Sequence, residues 1–418
     1  MFLLYDLIFI IYAIFYLPYL LLTKRGYPGY AMRFGLFSTL TTKQIISRPN
    51  VWLHAVSVGE VMVIDGFMDK LSAAYPNYQL VVTVTTKTGY ELALKNLNGK
   101  ALVIPSPLDV SFTAKRFVKL INPRMYIAAE TEIWPNLYRQ LYRQHVPMAV
   151  INGRISDKSF GRYKFIRFLL KGILNQVSVW CMQSQRDAQR ILDLGADPSR
   201  VVVAGNIKFD DLPGSAAAFG GNFTVRPGEQ WWVAGSTHPG EEEMVLDVYA
   251  EIIKKDPQWR LVIVPRHIER TGKILELVKC RGFAAVKFSE LKDVNPHQGV
   301  IVVDTIGQLR SLYALASLVF VGKSLCVGGG HNVIEPALYG KAVIIGPKVE
   351  NFRDIVACFK ENNALVQVED EPSLLAAVSD LVADRSKREA LGQRAQEVIA
   401  VNQGATKRSL ERLEEFLK

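Results

Sequence analysis

Acidic side chains follow two of the predicted strands in the first half of the chain. The run HAVSVGE ends the first strand candidate (51–56) and brings Glu60 to the start of the next helix. The run AETEIWPN follows a later strand candidate and supplies Glu130 and Glu132. Because ligands of open α/β sheets bind at the carboxyl ends of the strands, Glu60 is a candidate general base for an attacking hydroxyl group.

Each of these acids also has a purely structural interpretation. A carboxylate at a helix start is stabilised by the helix dipole, which explains Glu60 equally well. Lys208, in the run GNIKFD, stands just beyond another strand candidate and is a suitable cation to hold Glu130. This pair either supports the chemistry or only braces the end of the sheet.

Polar residues again follow strand candidates in the second half. The run AGSTHPGEEE places residues 236–238 before a helix, where exposed amides predict an anion site. Arg266 follows the next strand in VPRHIER. In VGGGHNVIEP, glycines 328–330 precede a short helix that carries Glu335. A glycine backbone can approach a phosphate closely, and the acid can accept ribose hydroxyls; the alternative is a tight turn with a solvent-facing glutamate.

These residues need two α/β domains to position them. The strand candidates of the first half are 51–56, 79–85, 101–105, 124–129, 148–152, 178–183 and 201–205. Those of the second half are 231–236, 260–265, 284–288, 299–304, 318–322, 341–346 and 364–368, and one long helix is predicted over 371–397. Apolar strands separated by helices indicate parallel sheets that are covered on both faces.

The chain is predicted to contain an anchor, two domains and a linker. The anchor is placed at 1–22, the first Rossmann-like domain at 23–212, a Gly-, Ala-, Ser- and Pro-rich linker at 213–228, and the second Rossmann-like domain at 229–418. The last helix of the second domain can pack back onto the first. A ligand cleft between the two domains is expected.

The first 22 residues are apolar except for Asp6. A helix of this length reaches about 33 Å, close to the ~30 Å of a bilayer core. Residues 23–50 hold five cations and no acid, which places this flank on the cytoplasmic side and attracts anionic headgroups. The start lacks the basic residues of a signal peptide. We therefore expect an uncleaved anchor that spans the bilayer or lies in one leaflet.

Composition and motifs exclude several classes of protein. The formal net charge of +10 predicts an anionic partner. No two of the four cysteines form a CxxC pair. There is no GxGxxG after the first strand and no GxxxxGK[ST], so nicotinamide and P-loop sites lose their support. No basic–aromatic RNA-binding motif is present, and no nucleic-acid partner is expected.

Eight motifs in order resemble the 3-deoxy-D-manno-octulosonic acid (Kdo) transferases of lipopolysaccharide assembly. They are HAVSVGE, ETEIWPN, INGRISDKS, GNIKFD, GSTHPGEEE, VPRHIER, DTIGQL and GGHNVIEP. The resemblance runs from the anchor to the last helix. It implies an α/β GT-B fold with two Rossmann-like domains facing a central cleft. It also implies CMP-Kdo as donor, lipid IVA as acceptor, no metal or other cofactor, and a place on the cytoplasmic face of the inner membrane.

The resemblance also implies roles for individual residues. Glu60 would be the proton acceptor, and Glu130 and Lys208 the transition-state stabilisers. The implied CMP-binding residues are Pro265, Arg266, Ile306, Gly307, Gln308, Asn332, Val333, Ile334 and Glu335. Gln308 and Lys323 depart from the common Glu and Gly of the family. The alternatives are a transferase of this fold that uses a uridine diphosphate sugar, and a noncatalytic lipid-binding protein.

Overall fold

The computed structural model describes residues 5–6, 29–210, 228–291 and 299–418. The chain divides into two compact units, one of Met1–Asp211 with Asn402–Lys418 and one of Leu212–Val401. The predicted anchor lies outside the described residues except for Tyr5 and Asp6, and so does the predicted linker except for Gly228. Within the described ranges, no helix has both the length and the apolar character needed to cross a bilayer.

In its described residues, the first unit contains a seven-stranded parallel sheet. The strands are β1 (Asn50–Ala55), β2 (Gln79–Val84), β3 (Leu102–Pro105), β4 (Pro123–Ala129), β5 (Met148–Gly153), β6 (Val179–Met182) and β7 (Val201–Val203). Their order is β3-β2-β1-β4-β5-β6-β7. The winding direction changes between β1 and β4, and the carboxyl ends of two such strands form the crevice in which open α/β sheets bind ligands.

Helices connect these strands and cover both faces of the sheet. They are α1 (Tyr30–Arg33), α2 (Thr39–Ile45), α3 (Val58–Ala74), α4 (Lys87–Asn96), α5 (Ser111–Ile121), α6 (Pro135–Arg143), α7 (Asp157–Phe165), α8 (Arg167–Leu174) and α9 (Gln185–Asp193). Side chains alternate between the faces of a strand, so Leu53 packs in one apolar core with α3 while Trp52 packs in the other with α5 and α6. Burial on both faces fixes β1, and with it the position of the residues that follow it.

Asp6 makes two hydrogen bonds with the first unit. Its carboxylate oxygen Oδ1 accepts from the Asn136 side-chain amide at 2.7 Å and from the Ser111 backbone amide at 3.1 Å. These two residues lie in the first turns of α6 and α5. A carboxylate at such a position is stabilised by the positive end of the helix dipole.

The second unit also contains a seven-stranded parallel sheet in its described residues. Its strands are β8 (Gln230–Thr237), β9 (Trp259–Pro265), β10 (Ala285–Lys287), β11 (Val300–Val302), β12 (Leu318–Val321), β13 (Ala342–Ile345) and β14 (Val366–Gln367). Their order is β10-β11-β9-β8-β12-β13-β14. The winding direction changes between β8 and β12, which marks the second ligand-binding crevice.

The second unit ends in two helices where one was predicted. Its helices are α10 (Glu241–Lys255), α11 (Thr271–Cys280), α12 (Leu309–Leu315), α13 (Ile334–Leu338), α14 (Arg353–Glu361), α15 (Glu371–Ala383) and α16 (Arg385–Asn402). The prediction of one helix over 371–397 is wrong, because Asp384 adopts φ −113° and ψ 96° between α15 and α16. Its carboxylate accepts the Lys387 amide at 2.9 Å, which caps the new helix.

The last helix, α17 (Ala405–Leu417), belongs to the first unit. The Asp210 carboxylate accepts the backbone amides of Gly404 and Thr406, each at 2.5 Å. The Arg408 side chain donates to the Ala204 carbonyl at 2.7 Å. These contacts tie the start of α17 to the segment that follows β7.

Candidate active site

Glu60 lies in the first turn of α3, directly beyond β1. Its carboxylate turns back and accepts a hydrogen bond from the Val56 amide at 2.5 Å and another from the Ser57 hydroxyl at 3.0 Å. The residue is 5% exposed. These are the contacts of an acid that accepts hydrogen bonds at the start of a helix, so the geometry agrees with the purely structural interpretation of Glu60. A chemical role depends on its ionisation.

Burial raises the pKa of Glu60 from its ordinary value of 4.5 to about 8. The charges of Glu130 and Glu132 add to this rise, while the hydrogen bonds from Val56 and Ser57 oppose it. Burial and the Glu130 charge likewise raise the pKa of Glu132 to about 7. Glu60 is therefore a much stronger base than an exposed glutamate, with a pKa close to the pH at which it would work, as a general base requires.

Glu130 and Lys208 form an ion pair at the same edge of the first sheet. Glu130 follows β4 directly and has a φ of +58°. Its Oε1 lies 3.3 Å from the Nζ of Lys208. The backbone of Lys208 is held because its amide donates to Asn206 Oδ1 at 3.0 Å and the Ile207 amide donates to Asn152 Oδ1 at 2.9 Å.

The structure brings the three predicted catalytic residues together. A Cβ atom placed on Gly59 would lie 3.9 Å from the Lys208 ammonium, so Lys208 reaches the residue next to Glu60. The Glu130 charge acts on Glu60. A base candidate, a second carboxylate and an ammonium thus share the crevice at the ends of β1 and β4. This set can accept a proton and balance a developing charge.

His54 is a neighbour of this set that sequence reasoning missed. It lies one residue before the end of β1, and its Nδ1 lies 2.8 Å from the Thr83 hydroxyl. Nε2 is buried and has no hydrogen-bond partner among the described residues. Burial, with the Arg33 charge, lowers the pKa of His54 to about 3, so the ring is neutral. The histidine in HAVSVGE was the available signal, but its burial depends on the packed sheet.

The prediction that free amides at residues 236–238 bind an anion is wrong for the His238 amide. The buried Glu241 carboxylate already accepts the His238 amide at 2.9 Å. It also accepts the amides of Lys323, Ser324 and Leu325 at 2.8, 2.8 and 3.0 Å. The start of α10 is therefore satisfied by an internal acid, and the His238 amide is not open to a ligand.

The predicted nucleotide-binding residues 265–266 and 306–308 lie beyond strands of the second sheet. Pro265 ends β9 and is buried, while Arg266 is exposed and its amide donates to the Thr237 carbonyl at 3.1 Å. Ile306 is exposed. Gly307 has a φ of +91° and open space where a side chain would stand. Gln308 precedes α12.

The glycine loop leads into the short helix α13 as predicted. Gly329 and Gly330 have φ values of +115° and +68°, a region that favours glycine. Asn332 Oδ1 accepts the Ile334 amide at 3.0 Å, and both Val333 and Ile334 are buried. These contacts fix the backbone of the loop on the second sheet.

Glu335 faces a cation from a neighbouring helix. Burial raises the pKa of Glu335, and the Arg310 charge opposes the rise. Arg310 lies on α12, two residues after Gln308. The structure therefore brings Glu335 close to the segment that carries residues 306–308.

Three histidines and Lys323 form a cluster that sequence reasoning did not assemble. The Nε2 atoms of His238 and His331 are 3.5 Å apart, and the ring centroids of His238 and His267 are 5.6 Å apart. Burial and the charges of Arg266 and Lys323 lower the pKa of His331 to about 4. Such a group of donors and cations is suited to an anion. The signal was a histidine after each of three strand candidates.

A separate groove of about 1130 Å³ lies at the opposite edge of the first sheet. Its lining includes Asn50, Pro123 and Pro147, near the amino ends of β1, β4 and β5, and Lys418 at the chain end. It contains none of the predicted site residues. The strand-end rule therefore points to the Glu60 crevice and not to this groove.

Comparisons with known proteins agree with the layout of the two units. The family model described as 3-deoxy-D-manno-octulosonic-acid transferase (kdotransferase) matches residues 29–211, and that of glycosyl transferases group 1 matches residues 242–398. A 3-deoxy-D-manno-octulosonic acid transferase from Haemophilus influenzae is 32% identical over 374 residues, which cover 88% of this chain and 87% of the relative.

Two solved structures are also similar. The C-terminal CMP-Kdo binding domain of WaaA from Acinetobacter baumannii is 29% identical, with a TM-score of 0.40, over 41% of this chain and 90% of that domain. The UDP-GlcNAc 2-epimerase from Neisseria meningitidis is 12% identical, with a TM-score of 0.51, over 88% of this chain and 100% of that one. The second likeness shows the fold, two parallel-sheet α/β domains of the GT-B type.

Proposed function

Because the chain belongs to the Kdo transferase family of glycosyltransferases, we propose that it transfers Kdo from CMP-Kdo to lipid IVA. The observation that carries the proposal is the buried Glu60 carboxylate, whose pKa is raised to about 8 beside the Glu130–Lys208 ion pair. A sugar hydroxyl is a poor nucleophile until a base removes its proton. Glu60 lies just beyond the end of β1, at the sheet edge where open α/β sheets bind their ligands, which supports its assignment as that base.

In the proposed reaction, a sugar hydroxyl of the acceptor attacks the anomeric carbon of Kdo. A new carbon–oxygen bond forms while the bond between that carbon and the phosphate oxygen of CMP breaks. The hydroxyl proton passes to Glu60, and CMP leaves with the bonding electron pair. Direct displacement inverts the configuration at the anomeric carbon. Glu130 and Lys208 are assigned to stabilising the charges of the transition state.

The second unit is assigned to the donor nucleotide. Arg266 and Lys323, beside His238 and His331, supply positive charge and donors for the single phosphate of CMP. Glu335, in the first turn of α13 after the glycine loop, is a suitable acceptor for ribose hydroxyls. Exposed Ile306 and the open space at Gly307 leave room for the nucleotide. The proposal invokes no metal.

The acceptor is a lipid, so the proposed location is the cytoplasmic face of the inner membrane. The apolar residues 1–22 and the five cations without acids in residues 23–50 support this location. Extraction of cell membranes with alkaline carbonate tests it. We expect the chain to stay with the membrane pellet, and release into the soluble fraction contradicts the location.

The reaction is tested by incubating the full chain with CMP-Kdo and lipid IVA and weighing the products by mass spectrometry. We expect lipid IVA to gain Kdo units while free CMP appears. Glu60→Gln serves as the matched inactive variant and should keep the affinity for CMP. Transfer from a uridine diphosphate sugar with no transfer from CMP-Kdo, or lipid binding with no CMP release, contradicts the proposal.

A further inference from the structure

Helices α7 and α8 present one apolar side to the core and another to solvent. On the inner side, Leu170, Ile173 and Leu174 are buried in the apolar core of the first unit. On the outer side, Phe165 is 87% exposed and Phe168 is 79% exposed. Single exposed apolar residues are ordinary, but two phenyl rings three positions apart and almost fully exposed indicate a surface that meets an apolar phase.

Cations surround these two rings. The exposed cations of α7 and α8 are Lys158, Arg162, Lys164, Arg167 and Lys171. The exposed acid of this segment, Asp157, is already engaged by Arg186 at 2.7 Å and by Arg190. Phe165, Phe168 and the five cations together form what we call the α7–α8 surface. Aromatic rings framed by Lys and Arg are the composition of elements that lie in a membrane interface.

The α7–α8 surface follows directly from the candidate active site. Helix α7 begins four residues after β5 ends, at the same sheet edge as Glu130. The Glu130 amide donates to the Ile151 carbonyl of β5 at 2.9 Å, and the Arg154 amide donates to the Thr131 hydroxyl at 2.9 Å. The exposed surface of α7 and α8 is therefore continuous with the sheet edge that carries the catalytic candidates.

We propose that the α7–α8 surface docks on an anionic phospholipid bilayer, with Phe165 and Phe168 entering the interfacial layer and the cations facing lipid phosphates. The inference rests on the proposed lipid acceptor and names the surface that meets the membrane. A bilayer offers many like negative charges over a wide area, which complements cations without free acids. A second copy of this chain would set like charges against each other across a symmetric contact.

Tryptophan quenching tests the proposal in the full chain. Phe165→Trp and Phe168→Trp variants are reconstituted in phosphatidylethanolamine–phosphatidylglycerol vesicles with or without bromine on the lipid tails. We expect each variant to lose more fluorescence to bromine than the parent chain with its six tryptophans. Tyr142→Trp is the matched control. Tyr142 is 57% exposed and lines a cavity with Pro147 and Ser178, at the amino ends of β5 and β6, so no added quenching is expected there.

Quenching of Phe165→Trp and Phe168→Trp no greater than that of Tyr142→Trp overturns the proposal. The N-terminal segment is present in every variant, so its attachment to the vesicle cannot cause a difference in quenching between them. A dimer that forms with rising concentration, and that a Phe165→Ser, Phe168→Ser variant loses, assigns the surface to a second copy and also overturns it.

A charge variant separates docking from catalysis. Lys164→Gln, Arg167→Gln and Lys171→Gln are combined, and transfer to lipid IVA is measured in anionic vesicles and in detergent micelles. We expect kcat/KM for the lipid to fall about tenfold in vesicles, with transfer in micelles and KM for CMP-Kdo unchanged. Equal losses in both media overturn bilayer docking. Failure of the proposed function is distinguishable, because the parent chain would then fail in micelles.

Discussion

The Nζ atom of Lys208 lies 3.3 Å from Oε1 of Glu130, and the two side chains are 20% and 23% exposed. A partly exposed ion pair contributes only about 0–1 kcal/mol to stability. We therefore expect Lys208→Met to lower kcat by about 100-fold or more, as loss of a charge that stabilises a transition state does, while the free energy of unfolding changes by less than about 1 kcal/mol. Steady-state kinetics and denaturant unfolding measure the two quantities.

Lys100→Met is the matched control for this prediction. Lys100 also pairs with acids of the first unit, Asp65 at 3.1 Å and Asp69 at 2.9 Å, but it lies away from the candidate site. We expect its kcat to equal that of the parent chain. A Lys208→Met variant that turns over as fast as Lys100→Met contradicts the catalytic role of the pair.

The raised pKa of Glu60 predicts the pH dependence of the reaction. The deprotonated fraction of Glu60 reaches one half at its pKa of about 8 and falls steadily below it, so kcat/KM should rise with pH up to this value and level off above it. Glu60→Gln should reduce turnover by about 100- to 10,000-fold and remove this rise. Asp69→Asn, on the same helix α3, should keep both. An unchanged pH profile in Glu60→Gln contradicts the assignment of Glu60 as the general base.

The same shift predicts that Glu60 lowers stability at high pH. Between its unfolded pKa of 4.5 and its folded pKa of about 8, the folded state keeps a proton that the unfolded state has lost. The free energy of unfolding should therefore fall as pH rises through this window, by at most ~1.4 kcal/mol per pH unit. In Glu60→Gln this part of the fall should be absent. Denaturant unfolding at pH 5, 6.5 and 8 measures it.

Glu241 is predicted to be a structural acid and not a ligand contact. Its buried carboxylate accepts four backbone amides, two on each oxygen. Glu241→Gln sets an NH₂ group against two of these donors, and we expect a loss of about 3 kcal/mol in the stability of the second unit. Glu243→Gln is the control, since Glu243 accepts the Gly240 amide through one oxygen and Gln keeps that acceptor. Only the interaction of the charge with the helix dipole is lost, so the expected loss is below about 1 kcal/mol. Hydrogen exchange at Ser324 and Leu325 reports the difference.

The candidate residues at the strand ends could be predicted because the rule that places ligands there depends only on the topology of the sheet. Apolar runs identify the strands, and Glu60 and Glu130 are then assigned to one edge without knowledge of side-chain packing. The ordered motifs gave the family, which spacing alone does not. The pairing of Lys208 with Glu130 followed once both residues stood at that edge.

Side-chain contacts between distant loops were not predictable in this way. His238, His267 and His331 follow three different strands, and only the packed sheet brings their rings together. The inward turn of Glu241 depends on amides that lie more than 80 residues away. The break at Asp384 was missed because the apolar periodicity continues on both sides of it.

Lys323 combines an unfavourable backbone with a useful charge. Its φ of 59° lies in the left-handed region, where a side chain costs about 1–2 kcal/mol that glycine does not. This explains why a glycine suits the position. Lys323→Gly and Lys323→Ala both remove the ammonium, but only the first relieves the backbone. We expect the glycine variant to be about 1 kcal/mol more stable than the alanine variant in denaturant unfolding, and equal stability contradicts the argument.

The same two variants test the charge of Lys323. Burial and nearby cations hold the pKa of His331 at about 4, below its ordinary 6.5. The folded state therefore resists protonation, and its stability should be lost as pH falls from 6.5 toward 4. Without the ammonium, the His331 pKa should move upward in both variants, and the loss at low pH should shrink. Titration of the imidazole by NMR measures the shift. An unmoved pKa in both variants shows that burial and the remaining cations, not Lys323, keep His331 neutral.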